Sequence, residues 1–184
     1  MARAVLETGR GRIALHVRGP GLAGRTLWAR VRELVEPATR AGAALVVNDR
    51  VDLALVLPIW GVQLRESSLP VAEARRLLAG KARVGASVHG VERAEEAARG
   101  GADWLVVGTV FATPRHPDRP GAGPGLLAEI GACCRLPLVA IGGVTPDRVE
   151  AVLEAGAHGV AVSSGVWGAP HPAAAVDAYL RALG

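Results

Sequence analysis

Short apolar runs, most of them rich in valine, alternate along the chain with longer segments in which charged and apolar residues are mixed. A continuous apolar run bounded by polar residues is typical of a strand buried on both faces of a parallel sheet. The pattern predicts strands at Ile13–Val17, Ala44–Val47, Gly61–Leu64, Val84–Val88, Trp104–Val107, Leu138–Ile141 and Gly159–Val162. It predicts helices at Leu27–Arg40, Asp52–Leu57, Val71–Ala79, Val91–Arg99, Leu126–Cys134, Pro146–Ala155 and Ala173–Ala182, and Pro37 is expected to kink or end the first of them.

This alternation of strands and helices favours a single α/β domain over residues 1–184, a (β/α)8 TIM barrel. Such barrels have eight strands and usually about 200 residues or more, whereas this chain has 184 residues and only seven clear strands. Met1–Thr8 fits either a strand or the end of a helix. We therefore expect a barrel that lacks or shortens its first βα unit, because it closes irregularly or because the chain begins late.

Two apolar runs near the C-terminus stop abruptly at small residues. One ends at Gly142 and Gly143, and the next ends at Ser163 and Ser164. Backbone N–H groups that emerge from such strand ends bind anions, and glycine lets the anion approach closely. Two such ends in succession occupy the position of the phosphate site that follows the last two strands of many TIM barrels. The pair predicts an enzyme that acts on a small phosphorylated molecule.

The residues that follow the other strands are polar, and in a TIM barrel the chemistry lies at these carboxyl ends. The candidates are Arg18, Asn48, Asp49, the segment Arg65-Glu66-Ser67-Ser68, His89, Thr109 and Thr113. Two of these positions allow structural explanations as well. His89 is placed to cap the helix that begins near Val91, and Asn48 with Asp49 is placed to form an Asx-turn into the next helix.

The segment from Gly108 to Gly125 is the longest connection and contains four prolines. Long loops in compact domains are often lids. Arg115 and His116 in this loop are expected to close over an anionic substrate.

Composition narrows the classes of partner. The net charge of +4 invites a nucleic-acid interpretation, but arginines mix with glutamates along the predicted helices and aromatic residues make up only 3% of the chain, so no stacking platform is expected. No apolar run approaches the roughly 18 residues of a membrane span. Cys133 and Cys134 are adjacent and are expected to stay reduced, which fits a cytoplasmic protein with no nucleic-acid or membrane partner.

The chain as a whole resembles the thiamin-phosphate synthase superfamily, (β/α)8 barrels that include the TenI-type thiazole tautomerases. The resemblance covers nearly all of the chain from Ile13 onward. Its motifs are VVNDRVDLAL (46–55), GVQLRESSLP (61–70), VGASVHGVERAEEA (84–97), GADWLVVGTVFATP (101–114) and LVAIGGVTPDRVEAVLEAGAHGVAVSSGVW (138–167). The resemblance also implies a homodimer as the candidate assembly.

Departures from the synthase pattern favour the tautomerase branch. The synthases couple a pyrimidine diphosphate to a thiazole phosphate with Mg²⁺, held by one aspartate that matches Asp49 and a second at a position where this chain has Ser68. The loss of that carboxylate weakens a Mg²⁺-diphosphate interpretation. His16 and His116 stand where the synthases carry a glutamine and a lysine.

The segments His16-Val17-Arg18 and Val62-Gln63-Leu64 resemble the TenI-type branch instead. That resemblance implies an isomerase that aromatises a thiazole carboxylate phosphate by proton transfer, without metal or other cofactor. Histidine suits such a transfer near neutral pH, and Arg18 is a plausible partner for the substrate carboxylate. Asn48, Gln63, Thr109 and Thr113 are the further expected substrate contacts.

One position departs from the tautomerase pattern too, because Thr109 stands where that branch has a histidine regarded as catalytic. We expect His116, or His89, to transfer the proton instead. Two alternatives stay open at this point: a genuine thiamin-phosphate synthase, and a non-catalytic protein that binds thiazole phosphates.

Overall fold

The computed structural model describes residues 1–19, 21–113 and 120–184. Seven strands form one sheet: β1 (Ala14–Val17), β2 (Ala44–Asn48), β3 (Gly61–Leu64), β4 (Arg83–Val88), β5 (Trp104–Gly108), β6 (Leu138–Ile141) and β7 (Gly159–Ala161). Each strand pairs in parallel with the next strand in chain order. The predicted strands are therefore present within one or two residues of their expected ends.

Helices connect the strands and cover the outside of the sheet. They are α1 (Ala2–Gly9), α2 (Gly24–Ala41), α3 (Val51–Val56), α4 (Val71–Leu78), α5 (Val91–Arg99), α6 (Gly125–Cys133), α7 (Val149–Glu154), α8 (Ser164–Trp167) and α9 (Pro172–Ala182). Short 3₁₀ turns precede β1 and α7. None of the described helices is long and apolar enough to cross a membrane.

The N-terminal segment is a helix, which settles the choice between strand and helix left by the sequence. α1 buries Val5 and Leu6 and packs against α2 and α9. Helix α2 runs through Pro37 to Ala41, so of the two expected effects, a kink or an end, Pro37 does not end the helix. A proline removes only one helical hydrogen bond, and burial of Leu27, Val31 and Ala38 holds the helix on the sheet.

The sheet curls in the manner of a TIM barrel but is not a closed barrel within the described residues. β1 and β7 are its two edges and do not pair with each other. The described residues therefore contain the seven strands that the sequence predicts and not the eight of a complete (β/α)8 barrel. That the first βα unit is the one lacking or shortened stays a prediction. The core is formed by apolar side chains of the strands and of the inner faces of the helices, with Val47, Val62, Leu105 and Ala140 almost fully buried.

The Trp104 side chain lies across the amino-terminal ends of β3 and β4, and it fits there only because both strands have a glycine beneath it. A Cβ atom added at Gly85 would lie 2.0 Å from Cε2 of Trp104, and one added at Gly61 would lie 2.8 Å from its Cη2. The Trp104 ring also packs on Trp60, with 5.2 Å between the centroids. These glycines are therefore required by close packing.

We expect Gly85→Ala to lower the free energy of unfolding by about 1–3 kcal/mol, because the added methyl group must displace the Trp104 ring. Urea unfolding followed by circular dichroism measures the change. Gly159→Ala is the matched control, since it is also a strand glycine but has no atom within 4 Å of the added Cβ. Equal losses in the two variants would contradict the packing argument.

Candidate active site

All described strands run in the same direction, so their carboxyl ends meet at one edge of the sheet. The polar residues at or after these ends therefore face a common mouth. In strand order they are Arg18 (β1), Asn48 and Asp49 (β2), Arg65 and Ser68 (β3), His89 (β4), Thr109 (β5), Gly142 and Gly143 (β6), and Ser163 and Ser164 (β7). The structure thus brings most of the predicted candidates to one end of the sheet.

Asp49 is the most densely bonded acidic side chain at this mouth. Its backbone has a φ of 60°, which turns the chain at the end of β2. Its carboxylate accepts hydrogen bonds from Asn48 Nδ2 (2.6 Å), from the backbone N–H of Arg65 (3.2 Å) and from Arg65 Nε (2.5 Å), and also from the Ser68 hydroxyl. These bonds tie the end of β2 to the end of β3. The N-cap of α3 is Arg50, and no side chain caps that helix. The Asx-turn into α3, the structural alternative for Asn48 and Asp49, is therefore not formed.

His16 lies one residue inside the end of β1 and hydrogen-bonds to Asn48. Loss of hydration and the positive charge of Arg18 lower the pKa of His16 to about 4. The ring is therefore neutral at physiological pH. A neutral imidazole offers one donor and one acceptor, as an amide side chain also does.

Gln63 is the buried polar side chain of β3, with only 3% of its surface exposed. Its Nε2 donates to the hydroxyl of Ser87 on β4 at 3.0 Å. The predicted substrate contact thus lies just inside the mouth, and its amide is already oriented by a neighbouring strand.

His89 pairs with Glu66, a residue whose role the sequence did not reveal. Glu66 Oε1 lies 3.0 Å from His89 Nδ1 and accepts a hydrogen bond from the His89 backbone N–H at 3.2 Å. The N-cap of α5 is Gly90, and no side chain caps that helix. The capping explanation for His89 is therefore wrong. Glu66 follows β3 and His89 follows the neighbouring strand β4, and this placement is the sequence signal that could have indicated their contact.

The loop after β5 packs directly on the first glycine pair. The N–H of Phe111 donates to the carbonyl of Gly142 at 2.9 Å. Gly142 has a φ of 99°, and a Cβ there would lie 2.4 Å from Cγ2 of Thr109. Thr109 therefore supports Gly142 and Gly143, which form the first tip; Ser163 and Ser164, after β7, form the second tip. Thr113 lies at the start of the same loop, whereas Arg115 and His116 lie outside the described residues.

The second tip is solvent-accessible and is joined to the first by a tyrosine. Ser163 and Ser164 are exposed after β7. The buried Tyr179 of α9 donates from its hydroxyl to the carbonyl of Val144 at 3.0 Å, and a Cβ at Gly165 would lie 2.4 Å from that hydroxyl. The Tyr179 side chain thus fills the space between the two tips. Nothing in the sequence around Tyr179 indicates this role, because only the fold brings α9 behind both strand ends.

The two tips can hold an anion through the backbone. Four backbone N–H groups at the tips make no backbone hydrogen bond in the loops and turns of the described residues. They belong to Gly142, Gly143, Ser163 and Ser164. The described residues contain no group of three or more histidine, cysteine, aspartate or glutamate side chains that could hold a metal ion. The mouth therefore has backbone N–H donors at Gly142, Gly143, Ser163 and Ser164, where Arg148 Nη1 also binds the Gly143 carbonyl at 2.9 Å. Arg65 and the hydrogen-bonded polar groups lie at the ends of other strands.

Known proteins share both the sequence and the fold. The chain is 47% identical over 153 residues, or 83% of its length, to a thiamine biosynthesis bifunctional protein ThiM/ThiE of Symbiobacterium thermophilum, of which it covers 31%. It is 44% identical over 171 residues to a thiamine-phosphate synthase of Roseiflexus castenholzii, covering 91% of this chain and 74% of the relative. The structure of a thiamine phosphate pyrophosphorylase from Pyrococcus furiosus superimposes with a TM-score of 0.89 at 32% identity, covering 99% of this chain and 88% of that one.

These similarities correct the expected activity. The sequence motifs favour a thiazole tautomerase, an isomerase, but the curated relatives at this level of identity are named thiamine-phosphate synthases, which are transferases. The tautomerase interpretation is wrong, and the alternative named beside it, the synthase, agrees with the relatives.

The family model described as thiamine monophosphate synthase matches residues 2–166. This match spans the whole sheet and every strand end described above. The chain belongs to the thiamine monophosphate synthase family.

Proposed function

We propose that this protein is a thiamine-phosphate synthase that couples a pyrimidine diphosphate to a thiazole phosphate. The observation that carries the proposal is the 44% identity to a named synthase across 91% of the chain. In such a coupling the carbon that carries the diphosphate on the pyrimidine substrate bonds to the thiazole nitrogen, which supplies the electron pair, and the diphosphate leaves with the electron pair of the broken carbon–oxygen bond. The protein must therefore bind two anionic groups at once.

The paired tips are the proposed site for the thiazole monophosphate. Gly142 and Gly143 would approach the phosphate with bare backbone, and Ser163 and Ser164 would add N–H and hydroxyl donors. Neutral donors of this kind bind a monophosphate and fix the orientation of the ring attached to it.

The opposite side of the mouth is the proposed site for the pyrimidine diphosphate. Arg65 follows β3, three strands away from β6 in the order of the sheet, and Arg18 follows β1, the other edge of the curled sheet. Asn48 and Gln63 would contact the pyrimidine, and Thr109 and Thr113 would face the ligand from the loop after β5. The coupling moves no proton, so the proton transfer expected of His89 or His116 belongs to the tautomerase interpretation and is not carried over.

The histidine at position 16, where the synthases have a glutamine, is compatible with a synthase. A charged imidazole at this position would change the site. Because the pKa of His16 is lowered to about 4, the ring is neutral and can replace an amide as a hydrogen-bonding group.

Mg²⁺, which the family resemblance implies, does not fit the arrangement of the described residues. The single matching carboxylate, Asp49, is engaged by Arg65, Ser68 and Asn48, and Ser68 stands at the second carboxylate position. Mg²⁺ in proteins is anchored by one or two carboxylates together with the substrate phosphates. We therefore assign no step of the coupling to the ion.

The coupling itself is tested by incubating the protein with both substrates, with Mg²⁺ and separately with EDTA. We expect thiamine phosphate to form only when both substrates are present, with one diphosphate released per product. Oxidation of the product to a fluorescent thiochrome, followed by chromatography, measures it. Binding of thiazole phosphate without any product under either condition would contradict the proposal and indicate a non-catalytic binder.

Tyr179 tests the monophosphate site. We expect Tyr179→Phe to weaken the binding of thiazole phosphate by about tenfold, because loss of the bond to Val144 frees the first tip. Gly165→Ala should weaken it as well, since the new Cβ meets the Tyr179 hydroxyl. In the double variant that hydroxyl is gone, so the two effects should be less than additive. Calorimetric titration of the four proteins measures the coupling, and strictly additive losses would contradict the geometry.

The lowered pKa of His16 makes a prediction about pH. The unfolded chain binds a proton at His16 near pH 6.5, whereas the folded protein resists protonation until about pH 4. Stability from this group is therefore complete above pH 6.5 and is lost as the pH falls toward 4. We expect urea unfolding to show a smaller loss between pH 7 and pH 4.5 in His16→Gln than in the parent protein. Parallel pH profiles would contradict the assignment.

A further inference from the structure

The carboxylate of Asp49 is saturated with hydrogen bonds. One oxygen accepts from the backbone N–H of Arg65 and from the Ser68 hydroxyl, and the other accepts from Asn48 Nδ2 and Arg65 Nε. An ionised carboxylate offers about four lone-pair positions in all. A cation could reach Asp49 only by displacing one of these donors.

The donor most exposed to solvent is Arg65. Its side chain is 56% exposed, and its Nε binds Asp49 at 2.5 Å. Its Nη groups make no hydrogen bond within the described part of the chain, so they are available to a ligand. Ser68 helps to fix this arrangement because its hydroxyl bonds to Asp49 and also accepts from the Arg65 N–H at 3.1 Å.

The guanidinium is therefore a positive charge held in place at the mouth. Arginine matches the geometry of phosphate oxygens because its N–H groups form a rigid planar fork, and its charge does not depend on pH. The nearest acidic side chain in sequence, Glu66, is directed to His89 instead. Asp49 orients the fork, while the outward N–H groups can meet an anion.

We propose that Arg65, oriented by Asp49 and Ser68, supplies the charge that binds the diphosphate group, so that this chain binds diphosphate without a divalent cation. The proposal rests on the proposed function for the identity of the ligand. It accounts for the loss of the second carboxylate, since a carboxylate at position 68 would compete with the diphosphate for the same guanidinium.

Calorimetric titration with inorganic pyrophosphate tests the proposal directly. We expect the parent protein to bind pyrophosphate in EDTA with an affinity within about threefold of that in Mg²⁺. Arg65→Ala should weaken binding in EDTA by about tenfold or more, the loss typical of a charge-assisted hydrogen bond. Arg76→Ala is the matched control, because Arg76 is also exposed and binds a carboxylate, that of Glu73, through Nε and Nη2.

A second pair of variants tests the role of position 68. Ser68→Asp should weaken pyrophosphate binding in EDTA and make it depend on added Mg²⁺, whereas Ser68→Ala should leave binding independent of Mg²⁺. Circular dichroism confirms that each variant is folded.

Two results would overturn the proposal: a requirement for Mg²⁺ in the parent protein, or equal affinities in Arg65→Ala and Arg76→Ala. Failure of the proposed function has a different signature. In that case pyrophosphate would still bind through Arg65 in EDTA, but no thiamine phosphate would form in the coupling assay.

Discussion

The parallel pairing of neighbouring strands is the constraint on which the site depends. Because the strands run in one direction, every carboxyl end lies at the same edge of the sheet. The register then decides which residues meet. Asn48 lies opposite Gln63, and the next backbone bond, from Asp49 N–H to the Gln63 carbonyl, extends the ladder by one residue. A slip of one residue would turn the side chains to the other face of the sheet and separate Asp49 from Arg65.

Much of this fold could be predicted from the sequence, because buried parallel strands appear as continuous apolar runs. Leu138–Ile141 and Gly61–Leu64 were predicted with the ends that the structure gives them. Helix ends were harder to predict. Pro37 is a strong local signal for interruption, yet α2 continues because its buried face packs on the sheet. Tertiary packing outweighs a local preference of this size, and no local pattern records that packing.

The site could be predicted only as a set of positions. Sequence places Asp49, Arg65, Glu66 and His89 after strands, but it does not say which side chains bond to one another. The structure pairs Asp49 with Arg65, and Glu66 with His89. The activity expected from the sequence is wrong for a related reason, because a single replacement such as His16 looks like a change of chemistry when its surroundings are not known. An environment that lowers the pKa of His16 keeps the ring neutral, so a replacement that looks drastic in sequence can preserve the charge of the site.

In the proposed function, the two phosphate-bearing groups would be bound by different physical means. The tips offer backbone N–H groups, which carry no net charge and favour a close, well-oriented contact with one phosphate group. The opposite side offers a guanidinium whose charge is partly balanced by Asp49 before any ligand arrives. The ion pair with Asp49 lowers the free energy of holding the Arg65 guanidinium at the mouth when no ligand is bound. A diphosphate carries more negative charge than one carboxylate, so it would still be attracted to the outward N–H groups of Arg65. In the proposed coupling the diphosphate would need a partner that stabilises it after the bond breaks, and a fixed, permanently charged side chain such as Arg65 would meet that need without rearrangement of the protein.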